Sequence, residues 1–336
     1  MEIQTHIENL SKYTVYLQVK EAVNQFLKKQ GYLEIDLPVL SPALIPESYL
    51  EIFETQFNYF NTHKKLYLTP SPELFLKRLL AYNIGNCYYL GKSFRNHEKS
   101  SSLHEFEFNM LEFYKVKTNY MGIADELLKM LGFIAKNLFK KNYIFFQGKK
   151  ISFDQWEKIS VSQAFEKFAR INKKELFNRQ LFIKKAKEKE YRVKEFTYED
   201  LWSQIYVSEV EPHLGTNGLP TMIYDYPKEF AALAKLNKDG QTAQRFEFYI
   251  GGVELGDCYT ELVDWQEQEK RFIEEQKHRL TKGKLYHPID KGFIEALKYG
   301  LVDCAGIAIG FERLAMIFAD LQSINQLKLI NITYED

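Results

Sequence analysis

Four acidic residues, Glu247, Glu254, Asp257 and Glu261, stand close together in an otherwise apolar, strand-forming stretch. Carboxylates in such a stretch are costly to bury unless they bind cations or find other partners. Mg²⁺ on a polyphosphate needs one or two carboxylates and brings its own waters, and a substrate ammonium group would need the others. The stretch therefore indicates a cation site, and a solvated strand face is the alternative.

A second group of residues lies on a predicted hairpin. On its second strand, Phe108, Met110, Glu112 and Tyr114 share one face, because side chains alternate along a strand. Phe108 and Glu112 are roughly 13 Å apart at about 3.3 Å per residue, which suits a ligand with an aromatic base and a cationic group. Arg95 ends the first strand and could place its guanidinium on a phosphate between them. The alternative puts Phe108 in the core and Arg95 in a surface ion pair.

A run of small residues precedes a third candidate, Arg313. The run is Gly-Ile-Ala-Ile-Gly over residues 306–310, and a helix is predicted to begin directly after it. Small side chains let a ligand approach the backbone closely, and the arginine could then contact a terminal phosphate. The joint occurrence of these three groups favours a ligand site over the structural alternatives.

The elements that must position these residues follow from hydrophobic spacing. Residues 15–29 carry apolar side chains at helical intervals, and Gly31 provides a helix end. Alternating apolar residues over 33–38 predict a half-buried strand closed by proline. Residues 87–94 and 106–114 are aromatic-rich and predict two strands joined by a polar loop.

A second hairpin is predicted from residue 245 onward, with Gly251 and Gly252 at its turn. Residues 266–280 predict a charged helix, and residues 117–215 form a variable, mainly helical region. Its lysine-rich part, 173–194, indicates a solvated helix face more than a nucleic-acid patch. We therefore predict an α+β fold with antiparallel strands around the site, in a single catalytic domain over residues 1–336.

Composition narrows the class of protein. The 336 residues are 45% hydrophobic and 27% charged, as in ordinary globular proteins, and 45 basic residues balance 45 acidic ones. This balance gives no general attraction to nucleic acid. No apolar run is long enough to span a bilayer and the N-terminus is not a secretory signal, so we expect a cytoplasmic location without membrane contact. The widely spaced Cys87, Cys258 and Cys304 indicate buried thiols.

These motifs together resemble the class II lysyl-tRNA synthetase family over about residues 10–330. The first helix and residues 33–38 look like motif 1, which forms the homodimer interface in the family. Residues 94–114 look like motif 2 and residues 306–314 look like motif 3. Ser-Pro-Glu with the following Leu-Lys-Arg-Leu, over residues 71–79, resembles the family's substrate loop. Residues 245–262 resemble its signature for magnesium and lysine.

Within the family, the chain is most similar to the branch that attaches lysine to elongation factor P. The segments Val-Glu-Pro, Tyr-Asp-Tyr-Pro and His-Pro-Ile-Asp, at 210–212, 224–227 and 287–290, are typical of that branch. Ala308 stands where tRNA-charging members carry glycine, and in this branch alanine goes with a preference for β-lysine over α-lysine. Because the chain starts at motif 1, we expect no anticodon-binding domain, and tRNA is not an expected partner.

The resemblance implies an ATP site that uses Mg²⁺. Arg95 would neutralise the α-phosphate while the substrate carboxylate attacks it, and Phe108 and Arg313 would sandwich the adenine. Glu247 and Glu254 would hold Mg²⁺. The residues implied to contact ATP are Arg95, Asn96, Glu98, His104, Phe108 and Arg313.

The resemblance also implies an amino-acid site. Glu112, Tyr114 and Glu261 would take the side-chain ammonium of lysine or β-lysine, and Glu73 would take the other amino group. The residues implied to contact the amino acid are Glu73, Glu112, Tyr114, Asp257, Glu261 and Ala308.

The chain departs from the family pattern at four places. His97 replaces the usual glutamate of motif 2, with Glu98 one residue later, and the loop over 99–103 lacks its usual arginine. Residues 104–108 read His-Glu-Phe-Glu-Phe where the family has His-Asn-Pro-Glu-Phe. Asp257 replaces an asparagine and adds a negative charge at the amino-acid site.

Three functions follow from these observations. The leading one is an ATP-dependent ligase that attaches lysine or β-lysine to a lysine side chain of elongation factor P. A second is a ligase that passes the adenylate to another acceptor, such as tRNA. The third is a non-catalytic paralogue that binds an amino acid or a partner protein, although Arg95, Glu247, Glu254 and Arg313 supply ATP contacts that such a module has little need of.

Overall fold

The computed structural model describes residues 1–96 and 101–333. The chain divides into two compact units. The first unit comprises Met1–Thr118 and Glu261–Asp336, and the second comprises Asn119–Thr260. In the described part of the chain, no helix has the length and apolar character needed to cross a membrane.

The N-terminal part of the first unit alternates short strands with two helices. A 3₁₀ turn over Ile7–Asn9 precedes the first helix. In chain order the elements are β1 (Glu2–Thr5), α1 (Leu10–Lys29), β2 (Leu33–Glu34), β3 (Leu40–Ser41), β4 (Glu54–Tyr59), β5 (Thr62–Leu68), α2 (Glu73–Ala81), β6 (Cys87–Phe94) and β7 (Glu107–Val116).

The second unit is richer in helix. Its π-helical turns, Phe165–Ala169 and Tyr206–Val210, continue two of the helices, and 3₁₀ turns cover Glu211–His213 and Lys228–Phe230. Its helices and strands are α3 (Tyr120–Phe139), β8 (Tyr143–Phe146), β9 (Lys149–Ser152), β10 (Glu157–Ser160), α4 (Val161–Ala164), α5 (Lys173–Leu176), α6 (Arg179–Glu188), α7 (Tyr198–Ile205), β11 (Thr221–Pro227), β12 (Thr242–Ile250) and β13 (Val253–Thr260).

The C-terminal part returns to the first unit. A 3₁₀ turn over Ile324–Leu327 precedes its last strand. The elements are α8 (Trp265–Thr281), α9 (Lys291–Gly300), β14 (Cys304–Gly310), α10 (Phe311–Phe318) and β15 (Ile330–Thr333).

In the first unit, β7 lies between β14 and β6 and is antiparallel to both, while β2 runs parallel to β6 at the other side. The helix α1 buries Val19, Val23 and Leu27, which stand four residues apart and so share one helical face. Strand pairs β3–β5, β4–β5 and β1–β15 are antiparallel. The central strand β7 therefore has partners on both sides, which fixes its side chains.

In the second unit, β11 pairs with β10 in parallel and with β12 antiparallel, and β12 pairs with β13 antiparallel. The register of the last pair shifts between Phe248 and Tyr249, as at a β-bulge. Aromatic residues of the helices, including Phe165 and Trp202, pack in a core with Tyr226 of the sheet.

The α+β fold expected from the sequence is confirmed. The predicted strand over 87–94 coincides with β6, and the turn pair Gly251-Gly252 joins β12 to β13. The strand expected over 33–38 is shorter, because only Leu33–Glu34 pairs with β6, and α1 begins at Leu10. The three cysteines are free and buried, as expected.

Candidate active site

The strand β7 carries several of the candidate site residues in the first unit. Glu112 lies opposite Ala308 of β14, and Tyr114 lies opposite Gly306. A Cβ atom on Gly306 would lie 2.2 Å from the ring of Tyr114, closer than any side chain tolerates. The glycine therefore lets the tyrosine ring lie over β14, and the small Ala308 stands beside Glu112.

Glu112 is a buried carboxylate that accepts hydrogen bonds from two hydroxyl groups. The Tyr114 hydroxyl donates at 2.6 Å and the Ser71 hydroxyl donates at 2.9 Å. Only 2% of the Glu112 surface is exposed. Burial and the nearby charge of Glu73 raise the pKa of Glu112 to about 8, although both hydrogen bonds act in the opposite direction. The charged form of Glu112 is therefore disfavoured unless a cation lies next to it.

Lys77 lies between two further carboxylates. Its Nζ is 2.5 Å from Oε1 of Glu73, one turn earlier on α2, and it also forms an ion pair with Glu261. Burial alone would lower the pKa of Lys77, but the charges of Glu261 and Glu73 outweigh it and raise the pKa above its ordinary value. Lys77 is therefore a charged ammonium inside the protein. We call Glu73, Glu112 and Glu261 together with Lys77 the carboxylate cluster.

The backbone holds the members of the carboxylate cluster in place. Glu73 stands in the first turn of α2, and its backbone N–H donates a hydrogen bond to the Ser71 hydroxyl at 3.1 Å. The amide of Glu261 donates to the carbonyl of Cys304 at the start of β14, at 3.0 Å. The acids that the sequence predicted for the amino-acid site, apart from Asp257, are thus brought together in the first unit.

Lys77 and Ser71 lie in the segment that resembles the family's substrate loop, but the sequence alone gave neither side chain a role of its own. One signal could have found Lys77: it follows Glu73 by four residues on a helix and stands among the buried Leu74, Leu76 and Leu80. A lysine at an apolar position of a helix needs a charged partner.

Arg95 and Phe108 stand at the other end of the face formed by β7. The guanidinium carbon of Arg95 lies 5.3 Å from the centre of the Phe108 ring, within cation–π range. The Arg95 Nε is buried and has no hydrogen-bond partner among the residues that the structure describes. A buried donor of this kind fits an anionic ligand such as a phosphate.

Arg313 is positioned by the link between α10 and β7. The neighbouring Glu312 accepts hydrogen bonds from the backbone and the side chain of Asn109, at 2.9 and 2.7 Å, and Asn109 also donates to the Tyr16 hydroxyl. This link holds the first turn of α10 next to Phe108. The Nε of Arg313 donates to the carbonyl of Leu103 at 2.9 Å.

The remaining predicted ATP contacts lie near the loop after β6. The Nδ1 of His104 is 3.2 Å from the Ser101 hydroxyl, and the backbone of Asn96 donates to the carbonyl of Glu51 at 2.9 Å. Glu98, with His97 and the start of the loop, lies outside the described residues.

In the second unit, Glu247 is held by a cation and two hydroxyl groups. Arg245 donates to its Oε1 at 2.7 Å, while the hydroxyls of Tyr249 and Tyr206 donate to its Oε2 at 3.1 and 3.3 Å. Burial and the charge of Glu247 raise the pKa of both tyrosines well above the ordinary value. The tyrosines therefore keep their protons and act as donors.

Asp257 and Glu254 share the face of Glu247. Asp257 lies directly opposite Glu247 on β13 and Glu254 lies opposite Tyr249. The Asp257 carboxylate accepts a hydrogen bond from the Tyr259 hydroxyl and lies 3.7 Å from Arg245. Arg245 thus shares its charge between Glu247 and Asp257.

The two carboxylates proposed for Mg²⁺ fit a hard cation in their chemistry. Glu247 on β12 and Glu254 on β13 offer oxygen ligands from two paired strands, and their charges both act on the buried hydroxyl of Tyr249. In the described ranges, no three His, Cys, Asp or Glu side chains are grouped as ligands of one ion. Mg²⁺ bound with phosphates needs only one or two carboxylates, so the donor set agrees with that kind of site.

The fold and the site define a class II synthetase-type ligase. A family model described as "tRNA synthetases class II (D, K and N)" matches residues 8–330, and the chain belongs to this family. The family joins amino acids to acceptors at the expense of ATP, and the chain is accordingly an ATP-dependent amino acid ligase. The resemblance seen in the sequence motifs is confirmed.

Individual relatives define the branch. The chain is 33% identical over 310 residues to the elongation factor P–(R)-β-lysine ligase of Buchnera aphidicola from Schizaphis graminum, covering 90% of each chain. It is 35% identical over 301 residues to the ligase of that name from Yersinia enterocolitica, covering 88% of this chain and 87% of the relative. With the Proteus mirabilis ligase the identity is 33% over 315 residues, covering 90% and 89%.

Proposed function

We propose that this enzyme activates lysine or (R)-β-lysine with ATP and transfers it to a lysine side chain of elongation factor P. The observation that carries the amino-acid part is the carboxylate cluster, in which two carboxylates share the ammonium group of Lys77 and the third, Glu112, accepts hydrogen bonds from hydroxyl groups. The relatives' names support the acceptor. An excess of buried negative charge favours a ligand with amino groups.

The proposed reaction has two steps. In the first, a carboxylate oxygen of the amino acid bonds to the α-phosphorus of ATP, and the bond to the departing pyrophosphate breaks. In the second, the acceptor amine bonds to the carbonyl carbon of this mixed anhydride, AMP leaves, and the amine gives up a proton. Such chemistry needs no covalent nucleophile on the enzyme, since positioning and charge stabilisation suffice.

Arg95 carries the electrostatic role in the first step. Its guanidinium neutralises the charge that builds on the α-phosphate, and its contact with Phe108 orients it. The adenine lies between Phe108 and Arg313, with Asn96, Glu98 and His104 as further ATP contacts. Glu247 and Glu254 would hold Mg²⁺, which would supply positive charge to the phosphates.

The amino acid is held by its charged groups. Glu112, Tyr114 and Glu261 take the side-chain ammonium, and Glu73 takes the other amino group. Ala308 adds a methyl group opposite Glu112, which crowds an amino group on the α-carbon and leaves room for one moved a carbon along. This favours the β-isomer, with Asp257 as a further ligand.

We also propose that the enzyme acts as a homodimer in the cytoplasm, where translation factors work. Exposed apolar side chains on α1 and β2 support a dimer: Leu10 is 51% exposed, Leu17 is 45% exposed and Leu33 is 51% exposed. A symmetric pair would cover these residues. Light scattering at micromolar concentration checks this, and a monomeric mass would contradict it.

The test of the proposed function is ATP–pyrophosphate exchange across a panel of amino acids, followed by transfer to purified elongation factor P. We expect exchange with lysine or (R)-β-lysine and a mass increase of one lysyl residue on the factor. Uncharged amino acids and tRNA serve as controls. Exchange with uncharged amino acids, or transfer to tRNA in preference to the factor, would contradict the proposal.

A further inference from the structure

Lys77 places a positive charge within the proposed amino-acid site. Its side chain is 2% exposed, and both of its ion-pair partners, Glu73 and Glu261, belong to the proposed set of substrate ligands. A side chain that pairs with proposed substrate ligands either competes with the substrate or completes the site.

The third carboxylate, Glu112, has partners of a different kind. Glu112 accepts hydrogen bonds from the neutral hydroxyls of Ser71 and Tyr114. In the described part of the chain, no lysine or arginine forms an ion pair with Glu112. The carboxylate cluster thus contains three acids and one ammonium group, so that with all three acids ionised its four side chains carry a net charge of −2.

We propose that Lys77 is a specificity-determining positioning residue that neutralises one of the three carboxylates and fixes Glu73 and Glu261 beside each other. This inference rests on the proposed function and names a determinant of its amino-acid specificity. With Lys77 in place and all three acids ionised, the four side chains of the carboxylate cluster are short of two positive charges. An amino acid with two ammonium groups supplies both, whereas one with a single ammonium group leaves a buried carboxylate without a cation.

Removal of the ammonium group explains why Lys77 completes the site. Glu73 and Glu261 both lie within ion-pair reach of one nitrogen atom, so they are close neighbours in a buried position. Without Lys77 their charges repel, and one of the two acids takes up a proton. A neutral acid offsets a buried ammonium poorly. Loss of a positive charge therefore weakens the binding of a positively charged substrate.

The experiment compares the amino-acid KM and the ATP KM in pyrophosphate exchange for the full chain and its variants. We expect Lys77→Met to raise the KM for lysine and β-lysine by about tenfold or more, with the ATP KM changed less than about twofold. Lys77→Arg, which keeps the charge, should retain most of the affinity. Lys298→Met, in a surface ion pair on α9, is the matched control.

The charge-balanced double variant gives the decisive comparison. Lys77→Met combined with Glu73→Gln removes one positive and one negative charge and leaves the cluster short of two positive charges again. We expect its amino-acid KM to be lower than that of either single variant. A purely structural role for Lys77 predicts losses that multiply instead. This comparison with Glu73→Gln remains decisive if Lys77→Met alone does not fold.

Three outcomes would overturn the proposal. They are a fall in amino-acid KM in Lys77→Met, an equal rise in the ATP KM, and a double variant worse than both singles. Calorimetric binding of lysine to the same proteins separates this inference from the proposed function. Binding that follows the charge balance without any exchange would contradict the activation reaction and leave the role of Lys77 intact.

Discussion

The buried acids of the two units are neutralised in different ways. In the first unit, Lys77 pairs with Glu73 and Glu261, while Glu112 accepts hydrogen bonds from two hydroxyl groups. In the second unit, a single arginine, Arg245, serves Glu247 and Asp257, and tyrosine hydroxyls complete both carboxylates.

The carboxylate cluster of the first unit can accept further cations, whereas the carboxylates on the face of β12 and β13 are already oriented by their partners. The carboxylate cluster has fewer cations than acids, and the raised pKa of Glu112 shows how poorly its charge is tolerated there. On the face of β12 and β13, the charges of Glu247 and Asp257 are shared with Arg245, and the side chains are fixed by several donors. We expect substitutions in the first unit to change amino-acid binding, and those at Asp257 to have smaller effects.

The largest expected effect lies outside both groups of acids. Arg95→Ala should reduce pyrophosphate exchange by about 100- to 1,000-fold, because one well-placed donor to the developing charge is lost. The measurement is kcat/KM for exchange. Arg95→Lys keeps a charge but loses the planar fork and should recover only part of the activity. Full activity in Arg95→Ala would remove this residue from the reaction.

Glu261→Gln should raise the amino-acid KM by about 10- to 100-fold, because a charged hydrogen bond to an ammonium is replaced by a neutral one. The ATP KM should stay within about twofold. Exchange assays with each substrate varied in turn measure both constants. Equal loss of both ligands would contradict the separation of amino-acid and nucleotide contacts within the first unit.

Ala308→Gly should shift the ratio of kcat/KM for β-lysine over α-lysine toward the α-isomer, by on the order of tenfold. The methyl group opposite Glu112 is removed, so an amino group on the α-carbon is no longer crowded. Competition between the two isomers in one exchange reaction gives the ratio directly. An unchanged ratio would show that this methyl group does not select the isomer.

Asp257→Asn should lower kcat/KM for β-lysine by only about two- to fivefold, with the ATP KM unchanged. The effect is small because Arg245 and Tyr259 already share the charge of Asp257. A loss as large as that of Glu261→Gln would mean that Asp257 acts as a full substrate ligand. The comparison between the two units would then need revision.

The smallest expected effect concerns stability and pH. Because the folded protein raises the pKa of Glu112 from 4.5 to about 8, the contribution of this group to stability is fully present below about pH 4.5. It is lost as the pH rises through 8. Glu112→Gln cannot ionise, so its Tm relative to wild type should be higher at pH 9 than at pH 6. Glu295→Gln on the exposed side of α9 is the control, and a Tm difference independent of pH would contradict the assignment.

Much of the fold and part of the site could be predicted from local pattern. The alternation around Glu112 and Tyr114 identified the strand and the face that these residues share, and the pair Gly251-Gly252 identified a turn. The strand predicted over 33–38 is longer than the observed strand, Leu33–Glu34. Alternation indicates an extended segment, while only Leu33 and Glu34 find a hydrogen-bonding partner in β6. Pairing depends on a neighbour that is distant in sequence.

The sequence by itself determined the class of the protein, because its motifs and their spacing carry the chemistry of ATP and amino-acid activation. It also predicted which acids form the amino-acid site. Only the tertiary structure decided which partner each acid receives: Lys77 for Glu73 and Glu261, Arg245 for Glu247 and Asp257, and two hydroxyl groups for Glu112. The reason is physical. Charge pairing in a buried site depends on distances of a few ångströms between segments that are far apart along the chain, and no local periodicity encodes those distances.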